Sequence, residues 1–190
     1  MKSLALKISM AVLSMIPLVA KAELIVLASP QSNDAYYAKM IDDIFDFHVD
    51  YAKKIIKNGD NVVVLTDKGL YPDYVKALGT KHVAIAPMHD IWMRDFTSAN
   101  PAQPVMFRYT AAGQGGAKKG QAISDEVQDE FKYYSQKAGL QFTQSKLLND
   151  GGNWVEDGYG NVVLSTKFLA DNKLTESEAR KKLMALTGAK

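Results

Sequence analysis

Short apolar runs that alternate with helix-like segments place the strongest constraint on how this chain can fold. Three such runs are filled largely with branched aliphatic residues, which is typical of strands buried on both faces. Segments with apolar residues at helical spacing separate the runs, and this repeated order indicates an α/β layer fold. The predicted strands cover residues 24–28, 61–66 and 82–86, and the predicted helices cover residues 35–57 and 71–78.

The remainder of the chain continues the alternation of strands and helices. Turn and cap residues mark its boundaries, because glycine favours turns and a Thr-x-x-Glu pattern opens a helix. The predicted features are strands over 104–109 and 141–148, a mobile surface loop over the glycine- and lysine-rich residues 111–120, a helix capped by Ser124, a hairpin turn over 157–160, and a last helix opened by Thr175 and Glu178.

The amino terminus has the pattern of a secretory signal peptide. Two lysines precede an apolar run over residues 8–20, and Ala20-Lys21-Ala22 provides a small-x-small cleavage site. A membrane anchor is the alternative, but the run is shorter than the roughly 20 residues that a spanning helix needs. We therefore expect a signal peptide over 1–22 and one domain over 23–190. The protein would be periplasmic or secreted after cleavage near Ala22, and no longer attached to a membrane.

Charge and cysteine content narrow the possible functions. The chain has a formal charge of +2, and removal of residues 1–22 takes away three lysines and no acids, which leaves −1. A nearly neutral chain gives no electrostatic basis for binding nucleic acid. The sequence contains no cysteine, so neither a disulfide nor a catalytic thiol is present in it.

Two polar stretches at strand ends carry the chemistry that the sequence suggests. Residues 91–95 read Ile-Trp-Met-Arg-Asp, and residues 149–154 read Asn-Asp-Gly-Gly-Asn-Trp. A planar guanidinium pairs well with carboxylates and with an aromatic face, so Asp95, Asp150 and Trp92 could bind one together. The alternative is structural: aspartates beside glycines are often turn residues, and tryptophans, above all Trp154, are often core residues.

Together these motifs resemble the agmatine deiminase and bacterial peptidylarginine deiminase family of the guanidino-group-modifying superfamily. The resemblance rests on Trp-Met-Arg-Asp over 92–95 and Asp-Gly-Gly-Asn over 150–153, and it spans roughly residues 24–186. It implies a pentein-like, five-bladed α/β propeller built from ββαβ modules, of which this chain would supply about two as an N-terminal part. It also implies hydrolysis of a guanidino group to a ureido group with release of ammonia, without a metal or other cofactor.

The resemblance implies a role for each matched residue. Asp95 and Asp150 would bind and orient the guanidinium group of agmatine, arginine or a peptide, and Asp95 would thereby belong to the catalytic set. Trp92 would line the pocket, and the main chain of Gly152 would lie close to the substrate. Arg94 would support its loop through ion pairing, because a cation repels a cationic ligand.

The chain departs from the family in its catalytic groups. The family uses a cysteine, which forms a covalent thiouronium, and a later His-x-Asp motif, whereas this chain has no cysteine and its three histidines all precede the second motif. We therefore expect no turnover by this chain, which would be a truncated gene product or a shortened relative without catalysis. The alternatives are a guanidinium-binding module without chemistry and a degenerate remnant that self-associates through open module edges.

We expect the histidines to have structural roles and not catalytic ones. His48 falls on the apolar face of the first predicted helix and is expected to be packed there. His89 is followed by Asp90, which invites a general-base or metal-ligand role, but one histidine beside one acid is a weak pattern.

Overall fold

The computed structural model of the protein describes residues 22–98, 104–111 and 118–190, with only the backbone for residues 118 and 119. Apart from Ala22, the predicted signal peptide lies outside the described residues, as does the part of the predicted loop over 112–117. Within the described ranges, none of the helices has the length and apolar character to cross a membrane.

The first three strands form one parallel sheet in the order β1-β2-β3. β1 covers Leu24–Ala28, β2 covers Asn61–Thr66 and β3 covers Val83–Ile85. The register pairs Val26 with Val63 and Val64 with Val83. The intervening helices are α1 over Ile41–Lys57 and α2 over Tyr71–Leu78, so the predicted α/β alternation is confirmed.

The two helices are held to the sheet by a compact apolar contact. Ala52 and Ile55 of α1 pack against Val62, while Tyr74 of α2 packs against Val64. His48 is buried here as predicted. Its Nδ1 lies 3.0 Å from the Tyr74 hydroxyl oxygen, and burial lowers its pKa to about 4.

The first helix begins later than the sequence pattern predicts. Residues 35–40 form turns, and the helix starts at Ile41 rather than near Ala35. The Asp34 carboxylate accepts hydrogen bonds from the main-chain N–H groups of Tyr36 and Tyr37, an aspartate turn that competes with helix. Tyr37 therefore belongs to the loop after β1 and not to the helix face.

A second parallel pair of strands follows the short helix α3, which covers Met93–Phe96. β4 covers Val105–Tyr109 and β5 covers Thr143–Asn149, with a shift in register between Met106 and Arg108. The long helix α4 covers Lys118–Lys137 and packs on this pair. The shared apolar cluster combines residues of β1, α3, β4 and α4, namely Ala28, Phe96, Met106, Tyr109, Val127 and Phe131.

The predicted start of α4 is wrong. Lys118–Gly120, which the glycine- and lysine-rich pattern assigned to a loop, are already helical, so Ser124 lies inside the helix. The Ser124 hydroxyl donates to the Gly120 carbonyl and accepts from the N–H of Ala111. A mid-helix serine can bond the carbonyl four residues earlier, and here it also anchors the chain that leaves β4.

The carboxyl-terminal part consists of a hairpin and two helices. β6 over Val155–Glu156 and β7 over Val162–Val163 are antiparallel, which confirms the predicted hairpin. α5 over Lys167–Asn172 was not anticipated from the sequence, whereas α6 over Glu176–Thr187 opens with the predicted Thr175–Glu178 capping box. Trp154 is buried against Phe107 and Phe168, as expected of a core residue.

The described strands therefore form one three-stranded sheet and two two-stranded sheets. No sheet closes on itself within the described ranges, so the five-bladed propeller remains a prediction, while the α/β architecture is confirmed.

Candidate functional site

Acidic and aromatic side chains converge where several strands end. Asp90 and Trp92 lie in the segment after β3, and Asp95 lies on α3. Asp150 follows β5 directly, and Tyr109 is the last residue of β4. The negative charges of Asp95, Asp150 and Asp90 all act on the Tyr109 hydroxyl and raise its pKa, so these groups are close together. Ligands of open α/β sheets bind at this edge, outside the carboxyl ends of parallel strands.

The Asp95 and Asp150 carboxylates approach the same point. A side-chain carbon added to Gly152 would lie 3.1 Å from Oδ1 of Asp150 and 3.2 Å from Oδ1 of Asp95. Asp150 also accepts a hydrogen bond of 2.8 Å from the Gly152 N–H and so caps the single 3-10 turn over Gly151–Asn153. The predicted pair of acids is thus brought together, with a residue that has no side chain beside both.

Gly151 has a different role from Gly152. A side-chain carbon on Gly151 would lie 1.9 Å from the Arg94 carbonyl oxygen, which no real contact allows. The backbone of the second stretch therefore packs directly on the backbone of the first. Glycine at 151 permits this contact between the stretches, and glycine at 152 leaves space between the carboxylates.

Burial and neighbouring charge raise the pKa of the Asp95 carboxyl to about 6. Burial is the largest cause, the negative charges of Asp150 and Asp90 add to it, and a hydrogen bond with Asp150 further favours the protonated form. The positive charge of Arg94 acts in the opposite direction. Such an excess of closely spaced acids favours a bound cation, because a cation would offset the repulsion that raises this pKa.

Arg94 supports the loop, as predicted, but through a main-chain acceptor. Its Nη2 donates a hydrogen bond of 2.7 Å to the carbonyl oxygen of Trp154. The two tryptophans differ in exposure to solvent. Trp154 is buried and its carbonyl receives this bond, whereas Trp92 is 63% exposed. The predicted pocket-lining role of Trp92 stays a prediction.

Two tyrosines of this neighbourhood, Tyr37 and Tyr109, were not predicted from the sequence. The Tyr37 hydroxyl donates to Oδ1 of Asp90 at 3.2 Å, and the same oxygen lies 3.4 Å from the main-chain nitrogen of Trp92. Burial, followed by the charge of Asp90, raises the pKa of Tyr37, and burial together with the acids raises that of Tyr109. A polar-tipped residue at the end of a strand was the available signal for Tyr109, whereas the false helix assignment concealed Tyr37.

His89 points toward α4. Its Nε2 lies 3.4 Å from Oε2 of Glu130 and 3.8 Å from Oε1 of Glu126. Burial raises the pKa of Glu130, and His89 partly offsets this effect. Across the parts of the chain that the structure covers, no three His, Asp or Glu side chains are grouped so as to hold a metal ion. His89 therefore ties the segment after β3 to α4.

Several solved structures with the same fold are of proteins described as agmatine deiminases. The C. jejuni agmatine deiminase matches with a TM-score of 0.67 and 18% identity over 90% of this chain and 51% of its own. A variant of that protein with substrate bound matches with a TM-score of 0.65 and 18% identity, over 90% and 52%. The agmatine deiminase of Enterococcus faecalis matches with a TM-score of 0.60 and 14% identity, over 89% and 49%.

The chain thus spans about half the length of the solved structures that it matches. At these identities the likeness shows the fold alone. No curated protein matches the sequence. The sequence model of the Porphyromonas-type peptidyl-arginine deiminase family, however, matches residues 14–190. Because this match covers most of the sequence, the chain belongs to the Porphyromonas-type peptidyl-arginine deiminase family.

Proposed function

We propose that this chain supplies the guanidinium-binding part of a hydrolase that converts a guanidino group to a ureido group and releases ammonia. The observation that carries this proposal is the approach of the Asp95 and Asp150 carboxylates to one point beside Gly152. A guanidinium presents paired N–H donors in one plane, and two carboxylates can accept them together.

The proposed ligand is cationic because the site is rich in negative charge. Asp90 adds to the field of the two ligand-binding acids, and a bound guanidinium would favour the ionised form of Asp95. Trp92 is exposed beside Asp90, so its indole is free to cover the delocalised charge of the ligand. The solved relatives are named agmatine deiminases, so agmatine is the first ligand to test.

Catalysis requires groups that this sequence does not contain. A thiolate is the strong nucleophile near neutral pH, and the chain has no cysteine to supply it. Turnover would therefore depend on a second polypeptide segment with the cysteine and a His-x-Asp motif near the acids, because the His48-Val49-Asp50 of this sequence lies in α1 with His48 buried against Tyr74. On its own the chain binds and does not hydrolyse.

The second candidate function is a module that binds guanidinium compounds without chemistry, and the absence of cysteine from the sequence favours it. The two candidates differ in whether catalytic groups are supplied from elsewhere. A degenerate remnant is a third possibility, and it predicts that the purified chain lacks a cooperative unfolding transition.

We also propose a propeller arrangement and export from the cytoplasm for this chain. The chain would provide about two ββαβ modules of a five-bladed propeller. Residues 1–22 would direct export, and the domain over 23–190 would act in the periplasm or outside the cell.

Calorimetry with agmatine tests the binding proposal. The chain should bind agmatine but not putrescine, which has the same diamine backbone without the guanidino group. Asp95→Asn and Asp150→Asn should each reduce the affinity at least about tenfold, because each removes a charged acceptor. Asp129→Asn removes an exposed acid of α4 and should leave the affinity unchanged.

An assay for the ureido product, run on the same samples, should give no signal above background. Agmatine binding that survives both substitutions would overturn the assigned site, and product formation by the chain alone would overturn the requirement for a thiol.

A further inference from the structure

Helix α1 has a second apolar face besides the one that packs on the sheet. His48, Ala52 and Ile55 are buried, with Ala52 and Ile55 packed on the sheet and His48 against Tyr74 of α2. A separate stripe is formed by residues spaced four, three and four apart, which places them along one side of the helix. Its members are Met40, Ile44, Phe47 and Tyr51.

Three of the four stripe residues are exposed to solvent, Ile44 is half-buried, and two of the four are aromatic. Phe47 is 62% exposed, and Met40 and Tyr51 are also exposed. The Phe47 and Tyr51 rings are stacked on each other, with centroids 5.7 Å apart and planes inclined by 24°. Tyr36, in the turn segment before the helix, is 79% exposed but packs on Tyr37 and is not part of the stripe. A contiguous apolar patch of this kind marks an interaction surface, whereas single exposed apolar residues do not.

The charges of α1 are separated along its length. Four aspartates occupy its first part and three lysines its last part, namely Asp42, Asp43, Asp46, Asp50, Lys53, Lys54 and Lys57. The helix dipole favours acids in the first turn and bases in the last, and Asp50 pairs with Lys54 one turn later, but neither effect accounts for Asp46. One half of the exposed helix is thus negative and the other half is positive.

A helix with this charge distribution is complementary to itself only in the antiparallel direction. Antiparallel packing places the negative half of one copy beside the positive half of the other, and parallel packing would place like charges together. The same arrangement lets an apolar stripe face an identical stripe across a two-fold axis.

We propose that α1 pairs antiparallel with α1 of a second copy of this chain, about a two-fold axis between Phe47 and Tyr51. In this register Phe47 faces the partner's Tyr51, and Tyr51 faces the partner's Phe47. Asp43, one turn before Phe47, then lies opposite the partner's Lys54, one turn after Tyr51 and on the same side of the stripe. The surface is separate from the Asp95–Asp150 site and from the open sheet edges.

Sedimentation velocity of the purified chain over about 1–500 µM tests the proposal. We expect a concentration-dependent dimer, which Phe47→Glu weakens at least about 30-fold because it places a charge at the centre of the contact in both copies. Tyr133→Glu, at an exposed aromatic residue of α4, is the matched control and should leave the dissociation constant unchanged. Circular dichroism confirms that both variants are folded.

A charge exchange tests the antiparallel register. Because Lys54 also pairs with Asp50 of its own helix, all variants carry Asp50→Asn. In that background Asp43→Lys and Lys54→Asp should each weaken the dimer, and the double variant should recover it to within about threefold. A chain that is monomeric over the whole range would overturn the proposal. So would a dimer that resists Phe47→Glu but dissociates on Ile85→Glu at the sheet edge, or a double variant weaker than either single one.

Discussion

The Arg94 guanidinium donates a hydrogen bond of 2.7 Å to the Trp154 carbonyl oxygen, across 60 positions of sequence. Asp95 follows Arg94 directly, and Asp150 precedes Trp154 by one turn of chain. The bond therefore links the two segments that carry the acids. Together with the packing of Gly151 on the Arg94 carbonyl, it holds the Asp95 and Asp150 carboxylates in a fixed relationship.

Loss of this bond should affect both stability and binding. We expect Arg94→Met to lower the free energy of unfolding by about 1–2 kcal/mol, because it leaves the Trp154 carbonyl without its charged donor. Agmatine affinity should fall several-fold as the acids lose their fixed spacing. Arg94→Lys keeps the charge without the planar group and should be intermediate. Arg180→Met, at an exposed ion pair of α6, is the control and should cost under about 0.5 kcal/mol in thermal unfolding.

Adjacent glycines should respond differently to the same substitution. Gly151→Ala creates a steric overlap between the added methyl group and the Arg94 carbonyl oxygen. It should destabilise the fold by roughly 3 kcal/mol or more. Gly152→Ala meets only the two carboxylates, at 3.1 and 3.2 Å, so it should remain folded while agmatine affinity falls at least about tenfold. Urea unfolding and calorimetry on both variants separate these effects. Equal stability of the two variants would contradict the backbone contact.

Ligand affinity should depend on the ionisation of Asp95. Its carboxyl pKa is raised to about 6, so the site is partly protonated just below neutral pH. Agmatine affinity should be constant above about pH 7 and fall as pH decreases through 6, approaching tenfold per pH unit. Carbon NMR titration of the Asp95 carboxyl measures the midpoint directly. Asp150→Asn should lower that midpoint, because it removes the second largest cause of the shift.

Asp95 should also make the folded state less stable as pH rises. The folded pKa of Asp95 exceeds its unfolded value, so its stabilising effect is complete below about pH 4 and declines as pH rises to about 6. Asp95→Asn should remove this decline and modestly raise the melting temperature at pH 7. A lower melting temperature at pH 7 would show that the ionised carboxylate is needed for the fold.

His48 should make the fold sensitive to acid. Burial lowers its pKa to about 4, below the ordinary value of 6.5, because the neutral ring is packed against Tyr74. The unfolded chain takes up a proton as pH falls through 6.5 while the folded chain does not, so stability decreases between pH 6.5 and 4. The expected loss is about 2 kcal/mol after allowance for residual solvation. His48→Gln should flatten this part of the curve in urea unfolding at several pH values.

Local patterns in the sequence account for much of the fold. Apolar runs and helical spacing predicted the strands and helices around the first sheet, and the Thr175–Glu178 capping box predicted the start of α6. Packing of His48 and Trp154 was also anticipated. Each of these inferences depends on residues close together in sequence, where backbone preference and side-chain period are decisive.

The failures arose where two local preferences competed. Asp34 forms a turn that delays α1, and Lys118–Gly120 continue a helix in which Ser124 bonds internally. Sequence spacing offers no means of ranking such alternatives, because the outcome depends on which arrangement packs better against the rest of the chain.

The sequence by itself determined that the protein is an α/β chain with two acidic, glycine-containing stretches and no cysteine. Only the tertiary structure decided that Asp95 and Asp150 converge beside Gly152, and that Asp90, Tyr37 and Tyr109 join them. The physical reason is that this convergence depends on contacts between distant segments. The packing of Gly151 on the Arg94 backbone and the Arg94–Trp154 bond have no signature in local periodicity.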